Sequence, residues 1–165
     1  MKTVSLPVVA LALALLPVTL LGASNDRKQP IQVEADSLEV RDSENISIYS
    51  GNVRLAQGSL LIRSDRLVIH FNDEKELVLM EMSGKPATFR QLDDEQNEML
   101  GQADKLDYHE AESLLVLKGN ARFSNEGDTI ESSSIRINIE TDHIEAASTD
   151  PDERVRMVIQ PKQTQ

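Results

Sequence analysis

At 165 residues the chain has room for one domain, and with 3% aromatic residues and no tryptophan its core must be built from isoleucine, valine and leucine. Twenty-eight acidic residues against 17 basic ones give a net charge of −11, which argues against nucleic acid or an anionic membrane surface as an electrostatic partner. There is no cysteine, so disulfides and thiolate metal sites are excluded, and sheet and core alone must hold the fold.

The chain opens with a short positive start, Met1-Lys2, an almost wholly apolar run from Val4 to Leu21, and a small residue at Ala23. This pattern predicts a secretory signal peptide over residues 1–23, cleaved after Ala23. The rival is an uncleaved membrane anchor. Against it, an 18-residue run is at the lower limit for spanning, and Pro7 and Pro17 interrupt it. Cleavage removes Lys2 and leaves 16 basic against 28 acidic residues, a net charge of −12.

From Pro30 onward apolar residues recur two apart. Ile31 and Val33, Ile46 and Ile48, Val53 and Leu55, and Leu60 and Ile62 begin the series, and Leu67, Ile69 and Phe71 continue it. Ala87 and Phe89, Leu106 and Tyr108, and Ala121 and Phe123 follow, then Ile135, Ile137 and Ile139, then Val155, Met157 and Ile159. Spacing of two puts one apolar face on a strand, and no window shows the 3.6-residue period of a helix. The prediction is all-β and mainly antiparallel, with repeated short strands of about five residues, roughly 17 Å each. Gly51-Asn52, Gly58-Ser59, Gly84-Lys85-Pro86, Gly119-Asn120 and Gly127-Asp128 read as the turns between them. Arg90 to Glu98 and Asn72 to Glu76 read as charged hairpin tips, and Ser148 to Glu153 as a loop. Residues 24–160 form one domain without a linker inside residues 30–160, and residues 161–165 a frayed tail.

The series is also a repeat. Ser50-Gly51-Asn52-Val53-Arg54-Leu55 returns 68 residues later as Lys118-Gly119-Asn120-Ala121-Arg122-Phe123. Within it, Ala35-Asp36-Ser37-Leu38 recurs as Ser64-Asp65-Arg66-Leu67, as Ala103-Asp104-Lys105-Leu106, and in degraded form as Ser132-Ser133-Ser134-Ile135, at steps of 29, 39 and 29. Such periods point to a stacked architecture rather than one catalytic centre.

Little in the chain carries chemistry. Asp36, Asp65 and Asp104 could do acid–base work, but a residue that returns once per repeat is better read as bonding its own turn backbone. His70, His109 and His143 share no metal-ligand spacing, and Asp93-Asp94-Glu95 lacks the ligand pattern of a calcium loop. No nucleophile elbow, phosphate loop or zinc motif is present. The reading is a non-enzyme with no cofactor, no metal site and no catalytic residue. The apolar stripe remains, and it must be either a closed dry core or the wall of a groove. Periodicity does not choose between them.

Five blocks in order do choose. They are Gln29-Pro30-Ile31-Gln32-Val33-Glu34-Ala35-Asp36, Tyr49-Ser50-Gly51-Asn52-Val53, Ile62-Arg63-Ser64-Asp65-Arg66-Leu67, Gly84-Lys85-Pro86-Ala87-Thr88-Phe89 and Leu117-Lys118-Gly119-Asn120-Ala121. Together, over about Gln29 to Gln160, they make the chain resemble the LptA/OstA family of periplasmic lipopolysaccharide-transport proteins. The resemblance implies an antiparallel V-shaped roll (a β-jellyroll or β-taco), open at both ends. It also implies carriage of lipopolysaccharide from the inner-membrane complex, through LptC, to the outer-membrane translocon LptD. By correspondence Ile31, Phe89 and Tyr108 fall on positions expected to line the lipid path. Alternation alone adds Val33, Ile48, Leu55, Ile62, Ile69, Leu106, Phe123 and Ile137. A roll that does not close leaves edge strands, expected at Ile31, Val33 and Ala35 and at Val155, Met157 and Ile159. The expected assembly is head-to-tail, with LptC at the N-terminal edge and LptD or another copy at the C-terminal edge. The chain departs from the family in lacking a long basic tail after Pro161-Lys162.

Three other readings stay open at this point. An LptC-like component would keep its N-terminal segment as an anchor. A carbohydrate-binding β-sandwich would show aromatic platforms, for which two tyrosines and three phenylalanines are few. A β-helix hydrolase of acidic polysaccharide would need clustered carboxylates on one strand face.

Overall fold

The computed structural model describes residues 26, 28–93, 95–148 and 151–161. The expected signal peptide over residues 1–23 lies outside them, as do Asp94 and most of the expected tail. Ten strands form one antiparallel sheet: β1 (Gln32–Glu34), β2 (Ser37–Arg41), β3 (Ile46–Gln57), β4 (Leu60–Phe71), β5 (Leu77–Leu92), β6 (Glu98–His109), β7 (Leu114–Asn125), β8 (Asp128–Asn138), β9 (His143–Ala147) and β10 (Arg156–Val158). Strands β3 to β8 pair in sequence order. Both β1 and β2 sit on the outer side of β3, and both β9 and β10 on the outer side of β8.

The expected strands of about five residues are corrected by the structure. The six central strands run 11 to 16 residues, because three of the expected turns are bulges inside them. The pairing register slips between Ser50 and Val53 on β3, between Arg63 and Arg66 on β4, between Ser83 and Ala87 on β5, and between Lys118 and Ala121 on β7. Gly51-Asn52, Gly84-Lys85-Pro86 and Gly119-Asn120 therefore mark kinks, not chain reversals. Gly58-Ser59 and Glu126-Gly127 do reverse the chain. The hairpin tip expected over Arg90 to Glu98 also narrows, because Arg90, Gln91 and Leu92 complete β5 and Glu98 opens β6.

The bulges line up across the sheet into one crease. Gly51 and Asn52 take φ of 81° and 46°, and Gly119 and Asn120 take 76° and 47°, a left-handed pair that glycine and asparagine adopt most readily. Each pair faces one of the repeated aspartates on the neighbouring strand segment. Asn52 Nδ2 donates to Asp36 Oδ2 at 2.8 Å, and Asn120 Nδ2 donates to Asp104 Oδ2 at 2.9 Å. The two carboxylates lie so close to Gly51 and Gly119 that a side chain there would strike them. For Asp36 and Asp104 the expectation of a bond to their own turn backbone is thus replaced by a bond across strands, accepted from the asparagine of the partner's bulge. The 68-residue repeat is the crease seen twice.

On the inner side of the crease stand small residues. Ala87 and Ala103 are fully buried, and Val53, Ser64 and Ala121 nearly so. They let the sheet fold over on itself, so that each long strand contributes to two leaves. The first leaf holds residues 46–50, 66–71, 77–83, 105–109, 114–118 and 134–138 with β2 and β9. The second holds residues 53–57, 60–63, 87–92, 98–102, 121–125 and 128–132 with β1 and β10. One apolar cluster joins both inner faces. The roll stays unclosed, since β1 and β2 do not meet β9 and β10.

Candidate functional site

The inner face is organised in cross-strand rows. In the first leaf Leu67, Met82, Leu106, Leu117 and Ile135 stand directly opposite one another from β4 to β8, and none exceeds 1% exposure. The next row outward, Ile69, Met80, Tyr108, Leu115 and Ile137, is also buried. In the second leaf the corresponding row runs Leu55, Ile62, Phe89, Gly101, Phe123 and Ile130. Gly101 explains how two rings fit there: a Cβ at Gly101 would lie within the edge of the Phe89 ring, so the ring rests on bare backbone. Phe89 and Phe123 then stack with centroids 6.2 Å apart and planes 23° from parallel, a spacing at which aromatic pairs attract.

Between the leaves, at the open side where their hairpin tips approach, the rows leave a cavity of about 60 Å³. Ile62, Phe89 and Phe123 line it from the second leaf, and Met80, Tyr108 and Ile137 from the first. Five residues expected on the lipid path, Ile62, Phe89, Tyr108, Phe123 and Ile137, therefore line one cavity from its two sides. Leu55 and Ile69 continue these rows within the same cluster, Leu106 lies one row nearer the crease, and Val33 packs on the cluster from β1.

Two expected positions stand elsewhere. Ile31 precedes β1 and is 39% exposed. Ile48 is buried but on the opposite face. It pairs with Val68, which pairs with Glu81, and it is Tyr49 that stands in the inner row beside Leu67. Ile46 and Ile48 made the alternation look inward. Ser47 and Tyr49 carry the inner side instead, because residues Ile48, Val68 and Val116 give this part of the sheet an apolar outer face as well.

The sequence reading missed the polar end of the cavity. Gln57, Gln91, Asp26 and Asp142 line it together with Leu60 and Met99. Gln57 Nε2 donates to the Gln29 carbonyl at 3.0 Å, and the Ser59 hydroxyl bonds the Asp26 carboxylate, so the N-terminal stretch is strapped onto this end. In the sequence Gln91 sits within the expected charged tip. Its spacing of two from Phe89 was the signal that could have placed it inward.

The outer face carries ion pairs, among them Lys118–Asp107 and Arg122–Glu131 at 2.7 Å, and a hydrogen bond between His70 Nε2 and Glu81 Oε2 at 2.6 Å. Where the β5–β6 tip meets the β7–β8 turn, the carboxylates of Asp93, Glu95 and Glu126 come within 4.8 Å of one another. Asp93 already accepts bonds from the Glu95 and Asn97 amides, so it serves the turn. The outermost strands remain. Among the described residues β1 bonds only β3 and β10 only β8. Val33 stands in the row of Leu55 and Met157 in the row of Ile130, so both ends belong to one inner row. Val155, Met157 and Ile159 are 45%, 55% and 67% exposed. Ala35, partly buried, lies where the chain crosses the crease between β1 and β2. On β2, Arg41 bonds Glu39 at 2.7 Å and, with its charge, holds that carboxyl below the usual range. Charged edges of this kind discourage indiscriminate strand pairing.

Comparison with known proteins gives a consistent answer. The family model of the LptA/(LptD N-terminal domain) LPS transport protein matches residues 32–143. The lipopolysaccharide export system protein LptA of Escherichia coli K12 is 30% identical over 87% of this chain and 78% of its own length. The lipopolysaccharide export system protein LptH of Pseudomonas aeruginosa is 29% identical over 86% and 85%. The crystal structure of LptH, described as the LptA-homologous periplasmic component of the lipopolysaccharide transport device, superposes with a TM-score of 0.76 at 28% identity. It covers 83% of this chain and 99% of that one.

Proposed function

Because the chain belongs to the LptA/(LptD N-terminal domain) family of lipopolysaccharide-transport proteins, a non-enzymatic family of β-jellyroll fold, we propose that it works in the periplasm as one span of a bridge that carries lipopolysaccharide between the membranes. The observation that carries this reading is the unbroken inner row from Val33 to Met157, which begins and ends on strands with a free side. A second unit docked on either edge would extend the row into its own interior. The N-terminal edge, Ile31 to Ala35, would take LptC, and the C-terminal edge, Val155 to Ile159, LptD or another copy, by strand addition.

Energetics favour such a carrier. Each CH₂ kept from water is worth about 0.8 kcal/mol, so a chain of about a dozen needs roughly 10 kcal/mol of shelter. Repulsion between a cargo anion and an outer carboxylate 10 Å away in water is only about 0.4 kcal/mol, before screening. The acidic exterior keeps the carrier soluble without excluding the cargo. A cavity of about 60 Å³ has space for a few water-sized groups rather than an acyl chain. Loading therefore requires the leaves to part at the seam while the crease acts as hinge.

The test is lipopolysaccharide labelling with photo-crosslinkers at Phe89 and Ile137 against an outward control at Arg63. Labelling at the two inner positions alone is expected, and equal labelling at all three would sink the interior path. Proline at Val33 or Met157 should abolish pull-down of the corresponding partner and leave the monomer folded. Mass measurement of the mature protein is expected to lack residues 1–23. An intact segment would instead favour a membrane-anchored, LptC-like component.

A further inference from the structure

One buried group in the cavity is not accounted for by acyl shelter. Gln91 lies on the inner face of β5, two residues from Phe89 and opposite Met99, and is only 8% exposed. It lines the cavity, yet among the described residues its side-chain amide makes no hydrogen bond. Gln57 beside it is tied to the Gln29 carbonyl and Asp26 to the Ser59 hydroxyl. An amide carries donors and an acceptor together, and with no protein partner among the described residues these groups face the cavity space rather than being sealed from it. The position asks for a partner that arrives with the ligand.

The surroundings restrict what that partner is. Among the described residues no lysine, arginine or histidine lines the cavity, and the two charged groups at its mouth, Asp26 and Asp142, are carboxylates. A phosphate or carboxylate head would meet two like charges and no cation. A hydroxyl or an amide N–H would instead donate to the Gln91 carbonyl, and an amide or hydroxyl oxygen would accept from its NH₂.

Resting on the acyl-carriage reading, we propose that Gln91 is a specificity-determining residue that reads a neutral polar junction of the cargo. The cavity then selects acyl chains joined through an amide, or bearing a hydroxyl near the head, over chains that end directly in an anion. Bonds to buried polar groups discriminate strongly because the wrong ligand leaves them unpaired.

The test uses the mature protein, purified lipopolysaccharide, and two simple amphiphiles of equal chain length below their micellar concentrations: N-dodecanoyl-glucosamine and dodecyl phosphate. The unaltered protein is expected to bind the amide at least tenfold more tightly than the phosphate. Gln91→Met should lose about tenfold for the amide and nothing for the phosphate, and should still be labelled by lipopolysaccharide at Phe89. Gln91→Leu serves if the first variant does not fold. Equal binding of both amphiphiles, or an unchanged amide affinity in the variant, would overturn the role of Gln91 while leaving the carrier reading intact. If the unaltered protein binds neither amphiphile nor lipopolysaccharide, the carrier reading itself falls and takes this inference with it.

Discussion

At the crease, Leu67, Met82, Leu106, Leu117 and Ile135 lie side by side with at most 1% exposure, and alanines 87, 103 and 121 close the corner beneath them. A few residues along the same strands, at the seam, stand two stacked rings, a cavity, partly buried Leu60 and Met99, and a glutamine without a side-chain partner among the described residues. Every long strand contributes to both regions, so the difference does not come from secondary structure. It comes from what the register slip does to packing: near the bulges the two leaves are pinned close by small side chains, and away from them they diverge. The lesson is a division of labour along one strand, with stability concentrated at the fold line and adaptability at the rim.

The sharpest way to break that comparison is to make the same truncation in both places. Leu106→Ala at the crease should cost about 2–5 kcal/mol, since a fully buried leucine leaves a cavity the pinned corner cannot collapse. Leu60→Ala at the seam should cost about 1 kcal/mol, because the side chain is only partly buried and its site is already open. Urea unfolding of both variants decides it, and equal losses would mean that the seam is as rigid as the crease. Next in size comes Gly101→Ala. The new methyl must displace the Phe89 ring, at about 1–3 kcal/mol, and the displaced ring should change near-ultraviolet ellipticity and lipid labelling at position 89 together.

Much of this was legible in the sequence, and the exceptions are instructive. Strand alternation and the apolar stripe followed from spacing, and the repeat marked the crease without revealing it. Gly51-Asn52 and Gly119-Asn120 read as turns in the sequence because the left-handed conformations they supply serve hairpins and bulges alike. Only pairing with β4 and β8 distinguishes the two. The same slip hides facing. Inner residues skip from Ser64 to Leu67 on β4 and from Ala103 to Leu106 on β6, so parity read on one side of the crease does not carry to the other. Ile48 and Gln91 were misplaced for related reasons, one because both faces of its strand are apolar, the other because its polar neighbours on the chain suggested a tip.

If the repeat is the crease seen twice, its two halves should respond alike. Removing Asp104 and Asn120 singly and together should give a coupling energy of about 1 kcal/mol, and the Asp36–Asn52 pair should give the same value within a few tenths. A large difference would show that one copy carries the hinge and the other merely resembles it.

The smallest expected effect has the opposite sign. Ser64 stands at the inner corner of the crease with 8% exposure, and its hydroxyl is buried without a hydrogen-bond partner. Its cross-strand neighbour is Val53, and the crease beside it is lined by alanines. A hydroxyl taken from water and left unpaired is a liability, whereas a methyl group of nearly the same size would fit the corner at no such cost. Ser64→Ala should therefore leave stability unchanged or raise it by up to about 1 kcal/mol. A loss of more than about 1 kcal/mol would mean that the hydroxyl is bonded in solution, that the corner is wet, and that the fold line is less firmly closed than the alanines beside it imply.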